Sequence, residues 1–486
     1  MNNPAAEPDS SNKLKKNVLG VPSIFFYVIA AASPFTVVVG LFPIIIGLGN
    51  GIGAAGAFVL AAVTLLVFAV GYVSMSRHIT NAGAFYAYVT AGLGKELGLG
   101  SAFLTMFSYV AIQAALFGGF GFYLNSLLSS SLGIDPPWWL LALIGLALCT
   151  VLAVQGVHSG ARWLGFFMTL EMVMILVLVV FSLFRGDTPV SAYSLEPFAP
   201  HAVFSGAFGI AIMFAICSFI GFEGSAIYSE EAKDPHRTIP RATFLSVGFM
   251  GVVYALTAWV LVNAVGVGTA KDTAIAEGGD FLFYLSGRFI GGGVATMFQV
   301  LICTAMFAAI LTFHNNVARY LYSLGRQNLL WSRLGRTMTT RQTPYVASLV
   351  QSGGITVLIV VAAVLHLDPI VTIFAGIGGI GTIGVILSQA IASVAIFAFF
   401  RRTGADRRPW NAVVAPLLAA VALLSIVVAA LYNLDVLLGV GGGTGLLWVS
   451  TLLVPLVFGA GYGWYLRSSQ PQRYAELDRV LTADNA

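Results

Sequence analysis

Charge is what this chain has least of. Across its 486 residues only 9% are Asp, Glu, Lys or Arg, against 58% hydrophobic residues. Soluble domains carry about 25% charged residues, and the 24 basic and 20 acidic side chains here cannot coat a water-soluble body of this size. A cytosolic enzyme, a nucleic-acid binder and a disordered scaffold are therefore excluded. Cysteine is scarce as well. Cys149, Cys217 and Cys303 fall inside apolar runs, with neither pairing nor metal-ligand spacing. His-Glu-x-x-His, Gly-x-Ser-x-Gly and phosphate-loop patterns are missing; Gly94-Lys95 lacks both the upstream glycine and the hydroxyl of a phosphate loop. The expectation is a chain that is not an enzyme and takes no cofactor and no structural metal.

What is abundant is apolar sequence in runs of about 18 residues or more, the length that crosses a bilayer as a helix. Twelve such spans are predicted, near 21–47, 54–76, 99–128, 138–156, 161–185, 203–229, 242–266, 290–322, 344–366, 369–399, 411–432 and 446–467. Lys13, Lys15 and Lys16 before an apolar run that ends in Ala30-Ala31-Ala32 have the outline of a signal peptide. The run continues to about Leu48, so the first span is read as uncleaved. The N-terminus, the even-numbered loops and the C-terminus hold 21 of the 24 basic residues; the odd-numbered loops hold Arg185, Lys271 and Arg288. Basic loops stay inside, so both termini are expected in the cytoplasm and the chain in the cell membrane, with lipid as its surroundings.

Two spans are interrupted. Ser33-Pro34 stands in mid-run in the first, where proline removes a donor and clashes with the preceding turn. Ser218-Phe219-Ile220-Gly221-Phe222-Glu223-Gly224 places a carboxylate between glycines in the sixth. Breaks five spans apart fit an inverted repeat of five plus five helices, whose freed N–H and C=O groups can hold a polar solute. A proline kink and a packing glycine are the plainer readings. Of the 20 acidic residues, only Glu171 in span five and Glu223 lie in mid-membrane. An ionised carboxylate there is costly, so such residues face a cavity, a partner or an ion path. Glu223 is a candidate for satisfying the broken backbone, Glu171 for bonding a neighbouring span, and both for carrying a proton. His314, beside Asn315 and Asn316, is the one deep histidine and is expected near the cytoplasmic mouth.

Three ordered motifs carry a resemblance. Asn81-Ala82-Gly83-Ala84-Phe85-Tyr86-Ala87-Tyr88-Val89 precedes span three. Ser218 to Glu223 is followed by Glu230-Glu231-Ala232-Lys233-Asp234-Pro235-His236-Arg237-Thr238-Ile239-Pro240-Arg241. Arg319-Tyr320-Leu321-Tyr322-Ser323-Leu324-Gly325-Arg326 and Thr343-Pro344 follow span eight. Over nearly the whole chain the sequence resembles the amino acid–polyamine–organocation (APC) superfamily of permeases. The resemblance implies an all-α, leucine-transporter-type fold of twelve transmembrane helices, with helices one and six broken and two helices added to the repeat. It divides the chain into a tail (1–20), a transport core (21–400), two additional helices (401–467) and a second tail (468–486). It further implies secondary active transport of an amino acid or related amine by alternating access, driven by a coupling cation, expected to be a proton, or run as exchange. A polyamine or organocation permease is the alternative; a sensor that binds solute without moving it, or a channel, is the alternative of another class.

The substrate site implied lies between the breaks, at Ser33, Phe35, Thr36, Val37, Val38, Cys217, Ser218, Phe219 and Phe222, with Glu171 and Glu223 as coupling residues. The chain departs from the family in two places. Ser33-Pro34-Phe35-Thr36 stands where a Gly-Ser-Gly segment is usual, so carboxylate capture by backbone N–H groups is weakened. Cys217 occupies the place of an aromatic lid, for which Phe214, Phe219 and Phe222 are the substitutes. Glu171 falls where proton-coupled relatives tend to carry a lysine, inverting the local charge.

Overall fold

In the computed structural model the described residues are 19–79, 84–155, 161–223, 225, 232–326, 329–338, 343–438 and 444–475. Among them every regular element is helical; an isolated bridge joins Leu19 to Ala232.

The first span opens as α1 (Val21–Ala32) and stops at Ser33, which is left-handed at φ 46°. Pro34 brings no N–H with which to continue the ladder. The chain resumes as α2 (34–50), partly wound in wide i→i+5 turns over Val37–Leu41 and Ile45–Asn50. It reverses at Gly49–Gly53 into α3 (Ala54–Ser76). A β-carbon on Gly53 would lie 2.2 Å from the Ala202 carbonyl oxygen, so glycine is required for that close approach.

Next come α4 (Ala84–Leu93), a short helix, and α5 (Lys95–Leu132). At 38 residues α5 is about 57 Å long, well beyond the ~30 Å of hydrocarbon. Then follow α6 (Trp138–Gln155), α7 (Ala161–Arg185), α8 (Phe208–Cys217) and α9 (Pro235–Val265). Two short helices, α10 (Ala270–Glu277) and α11 (Phe281–Phe289), occupy what the hydropathy pattern leaves as loop. The order closes with α12 (Gly292–Arg326), α13 (Tyr345–Val364), α14 (Pro369–Thr403), α15 (Trp410–Tyr432) and α16 (Leu453–Ser469). Asp368 caps α14, accepting from the N–H groups of Ile370 (2.9 Å) and Val371 (2.5 Å).

Ten of these stretches are long and apolar enough to cross a membrane among the described residues. The first, Val21–Ser76, contains the reversal at Gly49–Gly53 and so combines the first two predicted spans. The predicted sixth span is present as the shorter α8, with 226–231 outside the described residues. Arg319 to Arg326 and Thr343-Pro344 are described; Asn81 to Gly83, Glu230 and Glu231 lie outside.

Small residues bring the helices together. An added β-carbon at Gly209 would stand 1.9 Å from the Ala429 carbonyl, pinning α8 to α15, and one at Gly459 would stand 2.6 Å from the Leu99 carbonyl, pinning α16 to α5. With lipid as apolar as leucine, such close backbone contact is what drives helix association.

Candidate functional site

The two interruptions meet. After Cys217 the chain turns through Gly221 at φ +114°, and a β-carbon there would lie 3.1 Å from the Ala31 β-carbon and 3.2 Å from the Ala32 nitrogen. Gly221 therefore touches the last residues of α1, immediately before the Ser33 break. The site residues expected from sequence flank this contact along the chain, and each has its own packing partners.

Ser33 and Thr36 hydroxyls bond to each other at 2.9 Å. Phe35 packs on Phe298 of α12, with ring centroids 5.1 Å apart, and Val37 and Val38 are buried in the wide turns that follow. On the other side Ser218 donates to the Phe214 carbonyl at 2.8 Å. Phe219 packs on Tyr254 of α9, and Phe222 on Phe68 and Tyr72 of α3. Phe214, like Phe219 and Phe222, is fully buried. Of the nine candidate substrate residues, Cys217 alone keeps part of its surface open. Its sulfur accepts a hydrogen bond of 3.2 Å from the Thr382 hydroxyl of α14.

Glu223 is the most heavily bonded residue of the break. One carboxylate oxygen accepts from the Tyr109 hydroxyl of α5 at 3.0 Å, and the other from the Gly221 N–H at 2.9 Å. Its backbone carbonyl accepts from the Tyr72 hydroxyl of α3 at 2.9 Å. A third tyrosine, Tyr254, donates to the Ser218 carbonyl at 3.2 Å. Interrupting a helix inside hydrocarbon leaves backbone groups that must find protein partners; here phenol hydroxyls from α3 and α9 supply them. The sequence reading missed Tyr72, Tyr109, Tyr254 and Thr382. The available signal was one hydroxyl among several in each of four largely apolar runs, which does not say where the hydroxyl points.

Glu171 has a different setting. It lies on the buried stripe of α7 with Met168, Ile175, Leu178 and Ser182, at 6% exposure. Helix α7 packs against α1, α2, α12 and α9, so it borders both halves of the broken first span. The Glu171 carboxyl makes no hydrogen bond and no ion pair among the described residues, so the expected bond to a neighbouring hydroxyl is not made there. The two mid-membrane carboxyls thus stand on different neighbours, one fully bonded and one not.

His314 is fully buried on α12. It is held by Gln113 of α5 (3.2 Å) and Ser348 of α13 (2.7 Å). Gln351 donates to Gln113, and Ser352 meets Thr150 of α6 at 2.7 Å. This net ties α5, α6, α12 and α13 into one scaffold beside the broken pair.

Two helix interruptions in contact, braced by unbroken neighbours, define a fold of the leucine-transporter type. The described residues contain no cluster of three or more metal-ligating side chains. The family described as amino acid permease matches residues 19–465, and the chain belongs to that family. The low-affinity putrescine importer PlaP of Escherichia coli (strain K12) is 25% identical over 336 residues, covering 66% of this chain and 70% of that one. The branched-chain amino acid permease BcaP of Lactococcus lactis subsp. cremoris (strain MG1363) is 25% identical over 377 residues, covering 73% and 76%. Among solved structures, a mutant manganese transporter of Eremococcus coleocola superposes with a TM-score of 0.56 at 12% identity, over 95% of this chain and 96% of that one. At that identity the likeness speaks for the fold alone.

Proposed function

We propose that this chain is a secondary active transporter that moves an amino acid or related amine across the cell membrane by alternating access, coupled to protons or running as an exchanger. The observation that carries the reading is the contact of Gly221 with Ala31 and Ala32, which apposes two helix interruptions and their freed backbone groups. The substrate is held between Ser33–Val38 and Cys217–Phe222, in the division of the chain expected from sequence: a core over 21–400 and two added helices over 401–467. The 21-to-3 partition of basic residues supports a cytoplasmic location for both termini.

Glu223 is assigned the coupling role because its carboxyl bonds α5 and its backbone bonds α3, so a change in its charge alters how the sixth span is held. Glu171 is assigned the second coupling position. Its carboxyl, without a partner among the described residues, also favours a second reading, in which the substrate is a polyamine or another organic cation, since a buried unpaired anion attracts one. The putrescine-importing relative is in keeping with that alternative.

Purified protein in liposomes, offered radiolabelled leucine and putrescine with and without an inward proton gradient, separates these readings. Gradient-stimulated uptake of one of them is expected, and Glu223→Gln is expected to remove the gradient's effect. Uptake by Glu223→Gln with an unchanged pH profile refutes its coupling role. Binding of both compounds without uptake favours a sensor, and a conductance far above carrier turnover favours a channel.

A further inference from the structure

Away from the helix breaks, the described residues frame an open cavity of about 360 Å³ between the end of α5 and the starts of α6 and α14. Phe122, which lines it, stands 13 positions beyond Tyr109, the donor to Glu223, hence about 20 Å further along α5. The volume falls within the roughly 300–1,000 Å³ of small-ligand pockets. The partition of basic residues puts this end of α5 on the outer side.

The walls are fixed by short-range features of the chain. Helix α5 ends at Gly133, which is left-handed at φ 67°, and Asp135-Pro136-Pro137 leads into Trp138, the first residue of α6. Proline locks φ in that link, so little freedom is lost when a ligand arrives. Asn125 of α5 ties the link back, its amide donating to the Asp135 carboxylate at 2.6 Å and to the Pro136 carbonyl at 2.8 Å. Pro369, the first residue of α14, completes the lining. Phe122 is backed by the turn between α10 and α11: a β-carbon on Gly279 would lie 2.8 Å from its ring and 3.5 Å from Ile370.

The lining selects one sign of charge. Asp135 is exposed; one of its carboxylate oxygens takes the Asn125 amide, and no basic side chain pairs with it among the described residues. Phe122 and Trp138 are half-buried rings of the kind whose faces attract organic cations. No Lys or Arg lines the cavity among the described residues, so an anionic ligand finds no partner there. The surroundings agree. The odd-numbered loops hold eight acidic residues against three basic ones, and one of those three, Arg288, is paired with Asp187 at 2.7 Å. A surface of one sign raises the local concentration of the opposite ion.

We propose that this cavity is an outer reception site for an organic ammonium ion of the diamine class, held by the Asp135 carboxylate and the Trp138 and Phe122 rings, and distinct from the site between the helix breaks. The proposal rests on the reading in which the carried compound is an amine and this end of α5 faces outward. Leucine, whose own carboxylate meets the same acidic wall, is not retained there.

Purified protein titrated with radiolabelled putrescine is expected to show a weak binding component beside the central one. Asp135→Asn should weaken that component about fivefold and Trp138→Leu about threefold. Added salt should weaken it in the unmutated protein and have less effect in Asp135→Asn. In liposomes, Asp135→Asn should raise the half-saturating concentration of putrescine and leave that of leucine where it was. A single binding component, or a weak one indifferent to Asp135→Asn, overturns the proposal. A high-resolution density map of the unmutated protein with putrescine should show the diamine beside Asp135 and Trp138; an empty cavity refutes the site without recourse to any variant. Density that persists in Asp135→Asn marks binding at crystal concentration only and also overturns it. If neither leucine nor putrescine is taken up, the carrier reading fails, while the titration and the map still decide the outer site. If putrescine is taken up and the cavity stays empty, the outer site alone fails.

Discussion

Replacing Gly221 by alanine puts the contact between the two helix breaks to the test. Gly221 sits at φ +114°, a conformation costing a side-chain-bearing residue about 1–3 kcal/mol. The new methyl would also stand 3.1 Å from the Ala31 β-carbon and 3.2 Å from the Ala32 nitrogen. The second neighbour is backbone directly before the Ser33 turn, so it yields only if α1 shifts as a body. The cost therefore falls at the upper end of the range. It applies to the state in which the breaks touch, lowering the population of that state by a factor approaching about 150. Gly353→Ala serves as the control, because a β-carbon there meets nothing within 4 Å. In the middle of α13 that substitution should stabilise by about 0.5–1 kcal/mol. Melting in detergent and uptake in liposomes, measured side by side, should show Gly221→Ala losing both stability and at least about fivefold in rate, with Gly353→Ala losing neither. Gly221→Ala with unchanged melting and unchanged uptake would sink the argument that the breaks are in contact.

Other substitutions probe single interactions. Tyr254→Phe leaves the Ser218 carbonyl without its donor inside hydrocarbon, so it should destabilise by about 1–3 kcal/mol, read as a lower melting temperature. Glu171→Leu should act in the opposite direction, raising the melting temperature because it removes a buried carboxyl that has no partner among the described residues. The same variant is expected to lose gradient-driven uptake; uptake kept at full rate refutes the coupling role of Glu171. Outside the spans, Asp406 is held at about 2 by hydrogen bonds from the Arg408 side chain. A depressed value means that its contribution is present above the ordinary Asp value of ~3.9 and is lost as pH falls from there towards 2. Proteolysis of the 404–409 loop should accordingly increase over that window, and Asp406→Asn should remove the pH dependence.

The broken spans were legible because their cause is local. Pro34 lacks an N–H and Gly221 lacks a side chain, and both facts are written in single residues. The short helices α10 and α11 escaped because eight or nine residues fall below the length that a hydropathy window resolves. The bonds that satisfy the breaks escaped for another reason. Tyr72, Tyr109 and Tyr254 approach from spans two, three and seven, and a phenol in an apolar run carries no mark of its target. Thr382 is similar: its hydroxyl bonds its own helix at Gly378 as any membrane threonine would, and its contact with Cys217 depends on how α14 is rotated.

The two mid-membrane carboxyls looked equivalent as sequence, and their surroundings make them unlike. Glu223 has a donor on each carboxyl oxygen and a third on its backbone, so its ionised form finds partners already in place. Glu171 has no such partners among the described residues and lies on a helix that borders both halves of the first span, so its ionised form calls for a cation to enter beside it. If that cation is the proton alone, Glu171→Gln should mimic the loaded form and keep substrate binding. If it is the ammonium group of the substrate, Glu171→Gln should bind leucine normally and lose putrescine. Binding of both compounds to that one variant therefore decides between an amino acid carrier with two proton sites and an amine carrier with one.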